Sequence, residues 1–410
     1  MSPASKLPPG ERLGIRSGRV GPLVAPCVIE PRPFTVFIGP QGTGKSLAAQ
    51  LLYLFRDLGR LIPYTEAGLA PDDTEPRSNE AMLKAVLNQL RGQRTYFSSL
   101  VADETKVEWV PEHGEEKLHR SITWRKKTEK KKTLIRLSLS NALNQGITEI
   151  RQRGTPDWIR AVFVPTERLL YSELNTPIAN QVIPAPITYT FFAQFLESAS
   201  SAFDAWSAGE PDTRQGRDVR ERARLALGGE ITRQRDRWKW RVASVESRGP
   251  LLDLSMASSG QKANWPLVLL AEVLFSWRKE GRVAAGTTIY VEEPEIHLHP
   301  AAQRAVIEIL AMLVQQGFRV VLTTHSLTVL YTVNNLVQAG RLPAKTKSAG
   351  LPPPGARLAI EDVEALVFLR DGTVRSLVNR ENGFINESEL GAVSSELQDQ
   401  MNLIVSKLPE

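Results

Sequence analysis

Residues 287–300 read TTIYVEEPEIHLHP. A β-branched, apolar run, Thr287–Val291, ends in two adjacent carboxylates, Glu292 and Glu293, and Pro294 follows at once. The run has the composition of a buried strand, and the proline stops it. Two carboxylates at such a strand end suit metal-assisted hydrolysis. One serves Mg²⁺ and the next polarises an attacking water. Three other segments fit around this one.

The first is Gly39-Pro40-Gln41-Gly42-Thr43-Gly44-Lys45-Ser46. It matches G-x-x-x-x-G-K-[ST], the Walker A pattern that cradles the phosphates of ATP. A strand-like run, Thr35–Ile38, precedes it, and an apolar helical pattern, Ser46–Leu52, follows. Gly39, Gly42 and Gly44 let the backbone curl so that its N–H groups point at phosphate oxygens, with Gln41 and Thr43 between them. The helix N-terminus adds its positive end. The pattern assigns Lys45 to the β- and γ-phosphates and the Ser46 hydroxyl to Mg²⁺, which Glu292 shares. Glu293 is then the general base.

The second is Ser255-Met256-Ala257-Ser258-Ser259-Gly260-Gln261-Lys262, ahead of a long apolar helical run over 265–277. The third is Val320-Val321-Leu322-Thr323-Thr324-His325-Ser326, a buried strand ending in polar residues. It follows Glu293 by about 30 residues with one helix between, over 301–316, which a right-handed crossover needs. The order of the four segments resembles that of the ABC superfamily. Ser258, Gly260 and Gln261 match its signature, usually L-S-G-G-Q; Ala257 replaces the leucine and Ser259 the first glycine. In that family the signature completes a partner subunit's nucleotide pocket. The resemblance therefore implies a head-to-tail dimer, with Ser258, Ser259, Gly260 and Gln261 facing the γ-phosphate across the seam. Taken alone, S-S-G-Q also fits an ordinary helix cap. His325 resembles the switch histidine that senses the γ-phosphate; a lone histidine at a strand end also fits a structural role.

The wording Glu-Glu-Pro-Glu-Ile-His-Leu-His-Pro (292–300) with Thr-Thr-His-Ser (323–326) narrows the resemblance. It is similar to bacterial ABC-like ATPases grouped with the overcoming-lysogenization-defect proteins and the chromosome-maintenance and recombination-repair ATPases. The likeness covers residues near 15–60 and 250–335. It implies an α/β, ABC-ATPase-like head with a mixed central sheet, an antiparallel β insertion and a helical lobe. It also implies a role in anti-phage defence or DNA repair, as sensor or regulator of an effector. Some relatives carry a fused nuclease. Here no Asp-x-Asp or TOPRIM-type glutamate–glycine pair follows His325, and no HNH grouping exists. Cleavage would fall to a separate partner such as a nuclease.

Three departures qualify this. Glu292 stands where the family usually has Asp; its extra methylene would hold the metal through water and slow hydrolysis. Arg160–Arg168, RAVFVPTER, lies where the Q-loop belongs but has no glutamine. Glu167 or Arg168 stands in, or the segment is a capped strand end with a structural ion pair. Leu298-His299 replaces the usual Leu-Asp, so His297 and His299 fall near the dimer seam. Zinc is disfavoured there, with no Cys or third His nearby.

The chain has 410 residues, 42% of them hydrophobic, enough for a large core. Its organisation reads as N-terminal strands, Walker A and helix (1–65), a β-rich insertion with a basic hairpin (66–158), and the rest of the core with a helical lobe at 190–228 (159–340). A C-terminal loop and extension follow (341–410). One cysteine, Cys27, excludes an internal disulfide framework and fits a reducing cytoplasm. The N-terminus has no apolar signal region, and the longest apolar stretch, Trp265–Trp277, is too short to span a bilayer. A cytoplasmic protein without membrane contact is expected. Net charge of +6 is compatible with nucleic acid and does not prove it. The basic run Arg125–Lys132 either grips DNA phosphates or is a solvated turn. The arginines at 214, 217, 220, 222 and 224 read as a salt-bridged helix face. Two rivals to the ATPase remain: an ATP-binding nucleic-acid clamp with little hydrolysis, and a transporter subunit. The long insertion and the missing glutamine argue against the transporter.

Overall fold

The computed structural model describes residues 11–68, 78–90, 100–102, 104–111, 119–129, 132–154, 159–174, 185–207, 214–234, 237–243, 249–346, 348, 350–387 and 399–403. The central sheet has six strands in the order Val374–Ser376, Val363–Phe368, Phe34–Ile38, Arg319–Thr324, Thr288–Glu292, Ala161–Val164. The first is antiparallel to its neighbour and the others run parallel. Every residue of Phe34–Ile38, Thr288–Glu292 and Arg319–Thr324 is buried, as parallel strands covered on both faces require.

Alternation along these strands feeds two separate cores. Phe34, Val36, Ile38, Ile289, Val291, Val320 and Leu322 face one core; Phe37, Phe163, Tyr290 and Val321 face the other. Side chains that alternate with a period of two make one sheet the wall between them. The first core is completed by the helices Ser259–Lys279, Pro300–Gln315 and Leu327–Gly340, and by the lobe helices Ile187–Ser207 and Arg214–Leu227. The second is filled by the phosphate-loop helix, Lys45–Ala67, under a five-stranded antiparallel sheet. That sheet has the order Cys27–Ile29, Arg12–Ser17, Glu104–Val110, Arg120–Glu129, Lys132–Leu139.

Two strands before the phosphate loop thus share a sheet with three strands from residues 104–139. Buried Glu11 ties the layers. It accepts from Trp109 Nε1 at 2.7 Å and from the Tyr290 hydroxyl at 3.0 Å, and lies 3.6 Å from Arg56 Nη1. The insertion, the carboxylate strand and the phosphate-loop helix therefore meet on one side chain. The tip of the basic hairpin, residues 130 and 131, lies outside the described residues, as do most of residues 388–407, where a final helix is expected; 399–403 are helical.

Register sets the functional edge. Glu292 lies level with Thr323, Thr323 with Phe37, and Val291 with Val164. The phosphate loop, the two carboxylates, His325 and the Pro165-Thr166 turn therefore leave the sheet side by side, where open α/β sheets bind ligands. Within the C-terminal extension, Val363–Phe368 and Val374–Ser376 join the sheet beside Phe34–Ile38.

In the lobe, the arginine helix makes its ion pairs with other elements. Arg222 meets buried Glu308 at 3.1 Å, and Arg224 pairs with Glu230. Arg222 thus binds across a boundary between helices, while Arg217 and Arg224 stand on an exposed face. Nearby, Glu272 lies in a cavity of about 250 Å³ lined also by Arg220, Arg224 and Trp265. Burial pushes its carboxyl up to about 7, against the pull of Arg220. The folded chain therefore holds a proton there that the unfolded chain releases near 4.5. The group costs nothing below that value. Its destabilisation grows as pH climbs towards 7, reaching on the order of 3 kcal/mol above it. Glu272→Gln should raise the melting temperature at pH 8.5 and leave it nearly unchanged at pH 5; thermal melts of both proteins at the two pH values check this.

Candidate nucleotide site

The phosphate loop is built on three glycines at positive φ: Gly39 at 144°, Gly42 at 77° and Gly44 at 97°. A Cβ on Gly39 would stand 2.3 Å from the Phe368 carbonyl oxygen, so only glycine lets the loop turn against that strand. Gln41 and Gly42 are exposed; Thr43 is buried, and its hydroxyl donates to the Pro40 carbonyl at 2.9 Å. Lys45 Nζ, nearly buried, donates to the carbonyls of Gly39 at 2.8 Å and Pro40 at 2.7 Å. Burial pulls its pKa down to about 8, while Glu293 and Glu295 pull it up. An anion in the loop would raise it again. Ser46 opens the helix, half-buried, and one turn later stands Gln50, with Nε2 3.5 Å from Glu292 Oε1.

Glu292 is 3% exposed, and the Thr166 N–H donates to its Oε2 at 3.4 Å. Glu293 begins the turn with φ of +44°, and its N–H donates to the Thr323 carbonyl at 2.9 Å. This backbone disfavours a residue with a Cβ, yet it turns the carboxylate out of the strand's alternation towards His325. Glu293 Oε1 lies 3.6 Å from His325 Nε2, and His325 Nδ1 lies 3.5 Å from Lys45 Nζ. Burial, then the Lys45 charge, lowers the His325 pKa, with Glu293 and Glu295 opposing. Glu295 Oε1 accepts from the Thr324 hydroxyl at 2.6 Å and the His325 N–H at 2.9 Å. Lys45, Glu293 and His325 thus form one chain of contacts, with Glu292 beneath. The donor set fits a nucleotide with Mg²⁺: a positive-φ loop of N–H groups, a lysine, a helix-start hydroxyl and a buried carboxylate.

Glu167 and Arg168, both candidates for the Q-loop position, part company. Glu167 is half-buried, and its Oε2 accepts from the Thr166 hydroxyl at 3.2 Å. Arg168 is fully buried, and its guanidinium is committed to four backbone carbonyls. It is a strut below the site and has no free donor face to offer a metal or a water.

Ser258 caps the helix Ser259–Lys279 in a capping box: its hydroxyl accepts from the Gln261 N–H, and Gln261 Oε1 accepts from the Ser258 N–H at 2.8 Å. Gln261 Nε2 donates to the Leu227 carbonyl of the lobe at 2.7 Å. Asn264 Nδ2 donates to the carbonyls of Gly260 at 3.0 Å and Ile296 at 2.9 Å. Ser258 and Ser259 are exposed, and among the described residues no hydrogen bond joins 258–261 to 39–46. The structure thus gathers Lys45, Glu293 and His325 with Glu292 nearby, and sets the signature residues at the start of a different helix. His299 caps the next helix through Nδ1, which accepts from the Ala301 N–H at 3.3 Å.

Residues 34–330 match the family described as "AAA domain, putative AbiEii toxin, Type IV TA system". The chain belongs to this family. It is a P-loop ATPase domain with an ABC-like order of motifs. The Old nuclease of Escherichia phage P2 is 32% identical over 89 residues, which cover 21% of this chain and 15% of that protein. The match thus spans a small part of that nuclease. Among solved structures, an SMC head domain from Thermotoga maritima aligns at a TM-score of 0.39 and 13% identity, over 90% of this chain and 98% of that one. An SMC head bound to the C-winged helix domain of ScpA aligns at 0.42 and 14%, over 92% and 98%. At those scores neither likeness bears on function. No helix among the described residues is long and apolar enough to cross a membrane.

For this ABC-like ATPase the four motifs were readable in sequence, but Gln50, Thr166, Glu295 and Asn264 were not singled out. Gln50 carries a signal in hindsight: it is a polar residue on the apolar run, four positions after Ser46. Gly260 is fixed by proximity, since a Cβ there would stand 2.4 Å from the His297 carbonyl oxygen. Gly260→Ala should therefore cost about 1–3 kcal/mol by overpacking. A thermal melt several degrees below the parent's is the expected result.

Proposed function

We propose that this ATPase hydrolyses ATP as a head-to-tail dimer, with nucleotide state controlling its hold on a separate effector. The observation that carries the reading is the run of contacts from Lys45 through His325 to Glu293, with buried Glu292 alongside. In this reading the backbone of residues 39–46 and Lys45 bind the phosphates. Ser46 and Glu292 hold Mg²⁺, which neutralises charge on the transferring phosphoryl group. Glu293 orients the attacking water and takes its proton while the bond to the γ-phosphate's leaving oxygen breaks. His325 and Glu167 line the γ-phosphate side. Ser258–Gln261 of one subunit face the other's nucleotide, which agrees with the exposure of Ser258 and Ser259. ATP closes the dimer and hydrolysis opens it.

The family description and the partial likeness to a phage nuclease support a place in anti-phage defence or DNA repair, with cleavage assigned to a partner chain such as a nuclease. DNA is a candidate ligand through the basic hairpin, whose tip lies outside the described residues. A cytoplasmic location agrees with the lone cysteine. One observation favours a second reading, an ATP-bound clamp with little turnover. Glu292 replaces the usual Asp and is already engaged by Gln50 and the Thr166 N–H.

Steady-state Mg²⁺-ATP turnover with and without duplex DNA, beside Glu293→Gln, separates the two. Turnover in the parent that falls at least about 100-fold in Glu293→Gln, with an ATP-stabilised dimer on size exclusion, is expected. A Glu293→Gln protein as active as the parent would sink the assignment; ATP binding without turnover in either protein would favour the clamp.

A further inference from the structure

Below the nucleotide site, one buried cation joins three segments. Arg168 donates from Nε to the Ala263 carbonyl at 2.8 Å and from Nη1 to the carbonyls of Pro165 at 3.1 Å and Glu292 at 2.7 Å. Its Nη2 donates to the Glu293 carbonyl at 2.6 Å. Pro165 ends the edge strand, Glu292 and Glu293 carry the two carboxylates, and Ala263 lies in the signature helix. A planar fork of N–H groups is suited to such a junction.

The grip on the signature helix is reinforced one turn later. Pro266 lacks an N–H, so the Lys262 carbonyl has no helical donor. The Ser172 hydroxyl takes it, and Ser172 Oγ accepts in turn from Trp265 Nε1 at 2.7 Å. Arg168 and Ser172 share one face of the short helix Arg168–Leu174. That face thus holds two successive carbonyls of the signature helix. On its other side Arg168 holds the carbonyls flanking the backbone where Glu293 stands at φ of +44°.

Resting on the ATPase reading above, we propose that Arg168 is a positioning residue for hydrolysis. It fixes the Glu292 and Glu293 carbonyls against the signature helix, so the aim of the Glu293 carboxylate follows that helix. Arg168 acts through the backbone of the base, since its guanidinium donates to backbone carbonyls. Its role is to carry movement of residues 259–263, the segment that would meet a partner's nucleotide, to the base. Lysine would keep the charge, but its single ammonium cannot span carbonyls arrayed around a fork.

The test uses the full chain with Arg168→Lys and Ser172→Ala, beside Glu293→Gln. For each, kcat and KM for Mg²⁺-ATP, the equilibrium ATP Kd and the melting temperature are measured. Arg168→Lys should lose at least about tenfold in kcat while its ATP Kd stays within about threefold of the parent's. Ser172→Ala should show a smaller fall in kcat at unchanged Kd; it decides the matter if Arg168→Lys does not fold. Parental kcat in a folded Arg168→Lys, or in Ser172→Ala when Arg168→Lys fails to fold, overturns the proposal. So does a parallel loss of kcat and ATP affinity, the mark of a merely structural role. Turnover that persists in Glu293→Gln, or is absent from the parent, defeats the ATPase reading itself and takes this proposal with it. Turnover lost in Glu293→Gln but kept in Arg168→Lys defeats positioning alone.

Discussion

Five parallel strands buried on both faces must be covered on both, and the remaining architecture answers that constraint. The alternation Phe34–Val36–Ile38 against Phe37, or Ile289–Val291 against Tyr290, sends each strand's side chains into two cores that never merge through the sheet. Each fully buried aliphatic or aromatic side chain contributes roughly 1.5–3 kcal/mol, so both covers are strongly held. What neither cover can reach is the carboxyl edge of the strands. There the backbone leaves the sheet, and there the charged groups collect.

Charge at that edge is tolerated because it is shared. Glu293 and Glu295 oppose the effect of burial on Lys45, His325 and Arg168, and Glu292 joins them at Arg168. Arg168 is pulled down to about 10 by burial and still carries its charge at neutral pH. A buried guanidinium bonded to four carbonyls is satisfied in a way that a lysine at the same place would not be. The site is therefore preorganised by backbone and by cations from below, with the nucleotide side left open.

Much of this was legible in sequence for a physical reason. The phosphate loop needs glycines at fixed offsets, and the strands at 34–38, 288–292 and 319–324 are continuous apolar runs because both faces are buried. The carboxylate pair and His325 sit at the ends of those runs. Long-range pairing was not legible. Nothing local says that Arg12–Ser17 lies between Cys27–Ile29 and Glu104–Val110, or that Glu11 would be buried against Trp109 and Tyr290. The arginine helix is salt-bridged as its pattern suggests, but nothing local says that Arg222 reaches Glu308 on a different helix. Arg168 stands where a Q-loop side chain belongs, and the packed structure turns its donors inward to backbone carbonyls.

Gly39 abuts the Phe368 carbonyl, and the strand carrying the phosphate loop is flanked by Arg319–Thr324 and Val363–Phe368. A loop encoded near the start of the chain is thus walled on both sides by strands made near its end. During synthesis the nascent chain would expose this apolar strand unpaired until its late neighbours emerge, a topology of high contact order that folds slowly. The strand that carries the nucleotide cradle is translated well before the two strands that flank it, and its place in the sheet is fixed only when they arrive.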